Sequence, residues 1–203
     1  MKLLIGTNNA HKAREIREIL GGSFSEIVTM REAGIVLDVL EDGATFAENA
    51  VKKAEETLAY ADGRFDAVLA DDSGLCVDAL NGAPGVYSAR FAGEGHDDAA
   101  NNAKLIDLLN DVPDEARTAR FCCCAALARV GREPIVVLGE VEGTILHEPH
   151  GENGFGYDPY FFYAPFGKSF AELSAEEKNS VSHRKRALAA LKEILDVENR
   201  GHI

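Results

Sequence analysis

Lys2-Leu3-Leu4-Ile5-Gly6-Thr7-Asn8-Asn9-Ala10-His11-Lys12 is the stretch that decides the fold class. Lys2 to Gly6 is a short apolar run of strand length, the pattern of a fully buried strand. A polar turn follows. Ala13, Ile16, Ile19 and Leu20 then recur at helical spacing, and Gly21-Gly22 stops the helix. The same alternation continues outward. Thr45 and Glu48 have capping-box spacing, with Ala50, Ala54, Leu58 and Ala61 as the apolar face of a second helix. Ala67-Val68-Leu69-Ala70 reads as a buried strand ending in Asp71-Asp72-Ser73-Gly74. Residues 97–109 read as a helix. Residues 121–129 and 134–146 read as two long strands about a turn at Gly131. Residues 174–178 make a short helical turn, and 182–195 a last helix with Leu188, Leu191 and Leu195 inward. Strands alternating with helices predict an α/β fold. The two adjacent long strands predict a mixed sheet flanked by helices.

The chain has 203 residues, enough for one domain with a sizeable core. No repeat or linker divides it, so residues 1–203 are expected to form a single domain. At 46% hydrophobic residues, disorder is not expected. No apolar run reaches bilayer length, and the start is too short for a signal peptide, so the expectation is a soluble cytoplasmic protein. The formal net charge is −13. Such a surface repels nucleic-acid backbones, which excludes long DNA or RNA, but a small phosphorylated substrate needs only a few local cations. The cysteines are Cys76 and the run Cys122-Cys123-Cys124. Adjacent cysteines suit neither a disulfide framework nor zinc, and on a strand 122 and 124 point one way and 123 the other. They read as small buried hydrophobes.

Five segments bear on chemistry. Thr7 to Lys12 joins a strand to a helix start, where free N–H groups and the helix dipole favour an anion. The plain alternative is a turn with Asn as N-cap and Lys12 in solvent. The segment matches neither a dinucleotide-binding glycine pattern nor a Walker A loop. Asp71 and Asp72 repel each other at a strand end, which a divalent cation would relieve. Their alternative is a surface turn, since Asp-Asp-Ser-Gly is good turn chemistry. Glu41 could complete a metal site with either acid, or lie in a charged loop, and Lys53 is a phosphate contact or a solvated lysine. The glycine-rich run Gly151 to Pro159 offers Phe155 and Tyr157 for stacking on a base and Asp158 as an acceptor. Ser182-His183-Arg184-Lys185-Arg186 opens the last helix with cations, where the dipole disfavours them, so an anion or carboxylate is expected nearby. Lys178 joins the same cluster.

Taken in order, Thr7 to Lys12, Glu41 to Ala50, Ala70 to Leu75, Gly82 to Arg90, Gly154 to Pro159 and Glu177-Lys178 followed by Ser182-His183-Arg184 resemble the inosine/xanthosine triphosphate pyrophosphatase family across nearly the whole chain. The resemblance implies a two-lobed fold around a long twisted mixed sheet, and a homodimer. It implies Mg²⁺-dependent hydrolysis of aberrant purine nucleoside triphosphates to monophosphate and pyrophosphate. Carried over by position, Asp72 is the general base and a metal ligand, with Glu41 and Asp71 as further metal acids. Thr7, Asn9, Lys12, Lys53 and Ser73 are phosphate contacts, and Asn8, Ala10 and His11 belong to the same substrate-binding segment. Phe155, Gly156, Tyr157, Asp158, Lys178, His183 and Arg184 form the base and sugar pocket. Many members carry Thr-Gly-Asn where this chain has Thr7-Asn8-Asn9; Asn tolerates a left-handed backbone, so the turn survives the change. Two rivals differ in testable ways: a phosphatase of another type would release orthophosphate, and a nucleotide sensor would not turn over.

Overall fold

The strand Lys2–Ile5 (β1) carries Leu3, Leu4 and Ile5 with no solvent exposure, as a strand covered on both faces requires. It comes from a computed structural model that describes residues 1–200. The chain divides into two compact units: residues 1–72, 123–139 and those from 184 on, and residues 73–122 and 140–183. The remaining elements are α1 (Ala10–Leu20), β2 (Glu26–Thr29), α2 (Phe46–Tyr60), β3 (Ala67–Val77), α3 (Asp98–Leu108), β4 (Thr118–Arg129), β5 (Arg132–Ile145), β6 (Phe161–Tyr163), β7 (Lys168–Ser169), α4 (Ala175–Val181) and α5 (His183–Arg200). Among the described residues they form one seven-stranded sheet ordered β2-β1-β3-β4-β5-β6-β7. It is mixed: β1 runs parallel to β2 and β3, whereas β5–β6 and β6–β7 are antiparallel.

In the first unit the period of two sorts the side chains into two layers. Leu3, Ile5, Leu69, Cys123 and Ala125 face α1 and α5. Ala70, Cys124 and Ala126 meet Ala50 and Ala54 of α2, and Leu4 and Val68 meet Met30 and Ala61. Helix α1 starts where Asn9 Oδ1 accepts the Lys12 N–H at 3.2 Å, and buries Ala13, Ile16 and Leu20 before Gly21-Gly22. Helix α2 has the capping box expected from Thr45 and Glu48. Helix α5 is anchored by Leu188, Leu191 and Leu195, each worth about 1.5–3 kcal/mol of burial. The second unit packs Leu75, Val77, Val141, Phe161 and Phe170 against Leu105 and Leu109. Its buried Arg117 donates to the carbonyls of Leu109, Ile145 and Leu146.

One expectation fails in an informative way. Asp71-Asp72-Ser73-Gly74 is not the end of a strand. It is the middle of β3, an eleven-residue strand running on to Val77. The Gly74 Cα passes so close to Ser88 that an added Cβ would lie 2.3 Å from Ser88 Oγ. Turn-forming residues are held extended here by partners distant in the sequence, Lys12 and Arg184 at Asp71, Asn49 at Asp72 and Ser88 against Gly74.

Candidate active site

Alternation along β3 separates the two aspartates. Asp71 shares the Leu69 face, toward α1 and α5, and Asp72 shares the Ala70 face, toward α2. Asp71 Oδ2 accepts from Lys12 Nζ at 2.8 Å and from Arg184 Nε at 3.2 Å, while Arg184 Nη1 reaches Glu15 at 2.9 Å. Burial pushes the Asp71 carboxyl up, but Lys12 and Arg184 outweigh it and hold it well below its ordinary value of 3.8. The stabilisation from this carboxylate is therefore present above pH 3.8 and drains away as the pH falls below it. The basic start of α5 is explained: Arg184 is an interior cation between two acids, not a misplaced surface charge.

On the other face, Asn49 of α2 is 1% exposed. Its Nδ2 donates to Asp72 Oδ2 at 2.9 Å, and its Oδ1 accepts the Gly43 N–H at 2.8 Å. One turn further along α2, Lys53 Nζ pairs with Glu41 at 3.0 Å. Residues four apart lie on one helix face, so the same face of α2 engages Asp72 through Asn49 and Glu41 through Lys53. Thr7, Asn8, Glu41 and Lys53 also line a small polar cavity of about 100 Å³ beside the β1–α1 turn. Thr7 Oγ1 accepts the Asn9 N–H at 3.2 Å, which shapes that turn. Ala10 and His11 open α1, and the side chain of His11 lies outside the described residues.

Among the described residues no three acids, histidines or cysteines cluster as a metal site. Of the expected trio Glu41, Asp71 and Asp72, Asp71 lies on the opposite strand face from Asp72 and is paired with Lys12 and Arg184. Asn49 was not foreseen, although Asn49, Lys53 and Thr57 recur at four-residue spacing beside the apolar Ala50 and Ala54 of α2. Replacing Asn49 with Ala leaves the part-buried Gly43 N–H and a buried Asp72 oxygen each short of this partner. It should cost about 1–3 kcal/mol, read as a lowered denaturation midpoint with an unchanged m-value; no change in midpoint would refute the clamp.

In the second unit, the loop from Gly151 to Pro159 is braced at Gly156 by α3. Asp98 Oδ2 accepts the Gly156 N–H at 2.8 Å, and Asn102 Nδ2 donates to the Gly156 carbonyl at 2.9 Å. Asp158 accepts the Phe155 N–H at 2.9 Å and pairs with Lys178. Burial raises the Asp158 carboxyl above its ordinary value, with Lys178 partly offsetting it. Gly154 adopts φ +79°, and an added Cβ would lie 2.1 Å from Asp158 Oδ2, so only glycine fits. Tyr157, expected as a stacking ring, is buried and donates from its hydroxyl to Ser88 O at 2.8 Å. It is scaffold. Phe155 is the projecting ring, 71% exposed, with Lys178 Nζ 4.7 Å from its centroid. His183 stacks on Phe121 at 5.3 Å. Arg184, expected in this pocket, engages Asp71 and Glu15 in the first unit instead. Ser73 is half-buried in β3, next to Asp72.

The family model described as Ham1 family matches residues 3–194. The chain belongs to the Ham1 family. A relative from Desulforamulus reducens named dITP/XTP pyrophosphatase is 52% identical over 97% of this chain and 96% of its own. One of the same name from Clostridium perfringens is 50% identical over 96% and 97%. Among solved structures, the Ham1 protein of Staphylococcus aureus superposes with a TM-score of 0.87 at 40% identity, covering 98% of this chain and all of that one. For a Ham1 chain the α/β architecture with a mixed sheet is thereby shared with solved relatives. No helix among the described residues is long and apolar enough to cross a membrane.

Proposed function

We propose that this Ham1-family chain hydrolyses aberrant purine nucleoside triphosphates, inosine, deoxyinosine and xanthosine triphosphate, to the monophosphate and pyrophosphate. The observation that supports the reading is that Asn49 and Lys53, one turn apart on α2, engage the carboxylates Asp72 and Glu41. The names of the relatives agree with it.

Two carboxylates with hard oxygen donors suit Mg²⁺, which takes one or two acids and fills its remaining positions with water and phosphate oxygens. Asp72 and Glu41 would hold it, and when bound it supplies positive charge against the phosphate oxygens. Asp72 acts as general base: it orients a water against the α-phosphorus and takes its proton as the new O–P bond forms and the bridging bond to the β-phosphate breaks. Asn49 fixes the aim of that carboxylate. Lys53, the N–H groups at the start of α1 with Thr7 and Asn9, and the two Lys12 protons not directed at Asp71 bind phosphate charge.

Phe155 stacks on the base, and Lys178 donates to its C6 oxygen. Adenine presents an amino group there, which would face a donor with a donor; a polar site left unpaired in this way discriminates by roughly 10⁴. A homodimer and a cytoplasmic location belong to the same reading. The test compares inosine, xanthosine, guanosine and adenosine triphosphates, with Mg²⁺ and with chelator. Pyrophosphate release from the first two, abolished by chelator, is expected. Orthophosphate as product, or equal kcat/KM for all four, would overturn the proposal.

A further inference from the structure

Of the four cysteines, Cys123 and Cys124 are absorbed into the packing of the first unit. Cys76 and Cys122 are not. They lie in the second unit on β3 and β4, which are neighbours in the sheet. Their sulfurs are 3.9 Å apart, on the same sheet face as Glu140, whose Oε1 is 3.3 Å from Cys122 Sγ. Cys76 is half-buried and so partly accessible to a small reagent, whereas Cys122 is buried. Arg120 completes the group, with its Nε 3.7 Å from Glu140 and Nη1 3.0 Å from Asp78. The hydrogen bond from Cys122 lowers the Cys76 thiol below its usual value against the opposing effect of burial, with the Arg120 charge adding to the lowering, and it raises Cys122. The pair thus has a half-buried nucleophile, a buried resolving thiol and a carboxylate able to receive a proton.

We propose that Cys76 and Cys122 form a reversible dithiol–disulfide site, oxidised by low-molecular-weight disulfides of the glutathione-disulfide class. The Cys76 thiolate attacks one sulfur of the reagent, forming a mixed disulfide and releasing one thiolate. Cys122 gives its proton to Glu140 and attacks the Cys76 sulfur, and the second thiolate leaves. Two protein thiols are oxidised and one reagent disulfide is reduced to two thiols. The sulfurs must close from 3.9 Å to about 2 Å, within reach of side-chain rotation on neighbouring strands.

The test uses the full folded chain, incubated with glutathione disulfide and then alkylated and weighed intact. The expected result is a chain carrying two alkyl groups fewer than the reduced control alkylated in the same way, a cross-linked peptide joining Cys76 to Cys122, and full reversal by dithiothreitol added before alkylation. Cys76→Ala should abolish this difference and Cys124→Ala should keep it. A chain alkylated to the same mass as the control, a stable glutathione adduct at Cys76, or a difference that survives in Cys76→Ala would each overturn the site. Because the wild-type chain carries the decisive readout, a variant that folds poorly does not decide the outcome. The result is also independent of which triphosphate the enzyme hydrolyses.

Discussion

Asp72→Asn should lower kcat for inosine triphosphate by about 10²–10⁴-fold at saturating Mg²⁺. The substitution keeps the shape and leaves an oxygen for the Asn49 amide, so the clamp at 2.9 Å survives and the fold with it. What is lost is the proton acceptor and one negative charge. The thermal midpoint should therefore stay close to that of the parent while turnover collapses. Steady-state pyrophosphate release, measured with a thermal melt on the same sample, separates the two. A variant that retained wild-type kcat would remove Asp72 from the chemistry.

Arg184→Met is expected to act on stability first. The arginine reaches Asp71 at 3.2 Å and Glu15 at 2.9 Å with a side chain only 11% exposed. Its removal strips Glu15 of that cation and leaves Asp71 with Lys12. Breaking a buried pair from one side typically costs about 3–5 kcal/mol, which for a chain of this size lowers Tm by roughly 6–20 °C. Combining it with Asp71→Leu should return part of that loss, because replacing both partners is far cheaper than orphaning one. Arg184→Lys should fall in between, since an ammonium cannot present the guanidinium fork. A Tm within about 2 °C of the parent for Arg184→Met would show that the network is not an interior one.

Much of this was readable before any coordinates. The apolar run at β1, the spacing of Ala13, Ile16 and Leu20, and the capping box at Thr45 and Glu48 are local signals, and local physics decided those elements. Asp71 and Asp72 were legible as important but not as strand. Their composition favours a turn, and what overrides it lies 59 residues away at Lys12 and 113 away at Arg184, beyond any local pattern. The cations opening α5 announced an unseen anion correctly, yet its identity as Asp71 needed the fold. Tyr157 and Asp158 look like ligands in a glycine-rich run, but Ser88, the Phe155 N–H and Lys178 claim them. The short strands β2, β6 and β7 are too brief to carry a period.

The pleat of β3 gives its two neighbouring acids a parity. A single residue inserted between Leu69 and Ala70 would turn each side chain over, handing the anchoring acid to the helix that positions the base and the base to the cation pair. Two inserted residues would restore the facing of every side chain but displace both acids along the strand. Aspartates that look duplicated in the sequence are therefore the two positions of this chain least able to stand in for one another.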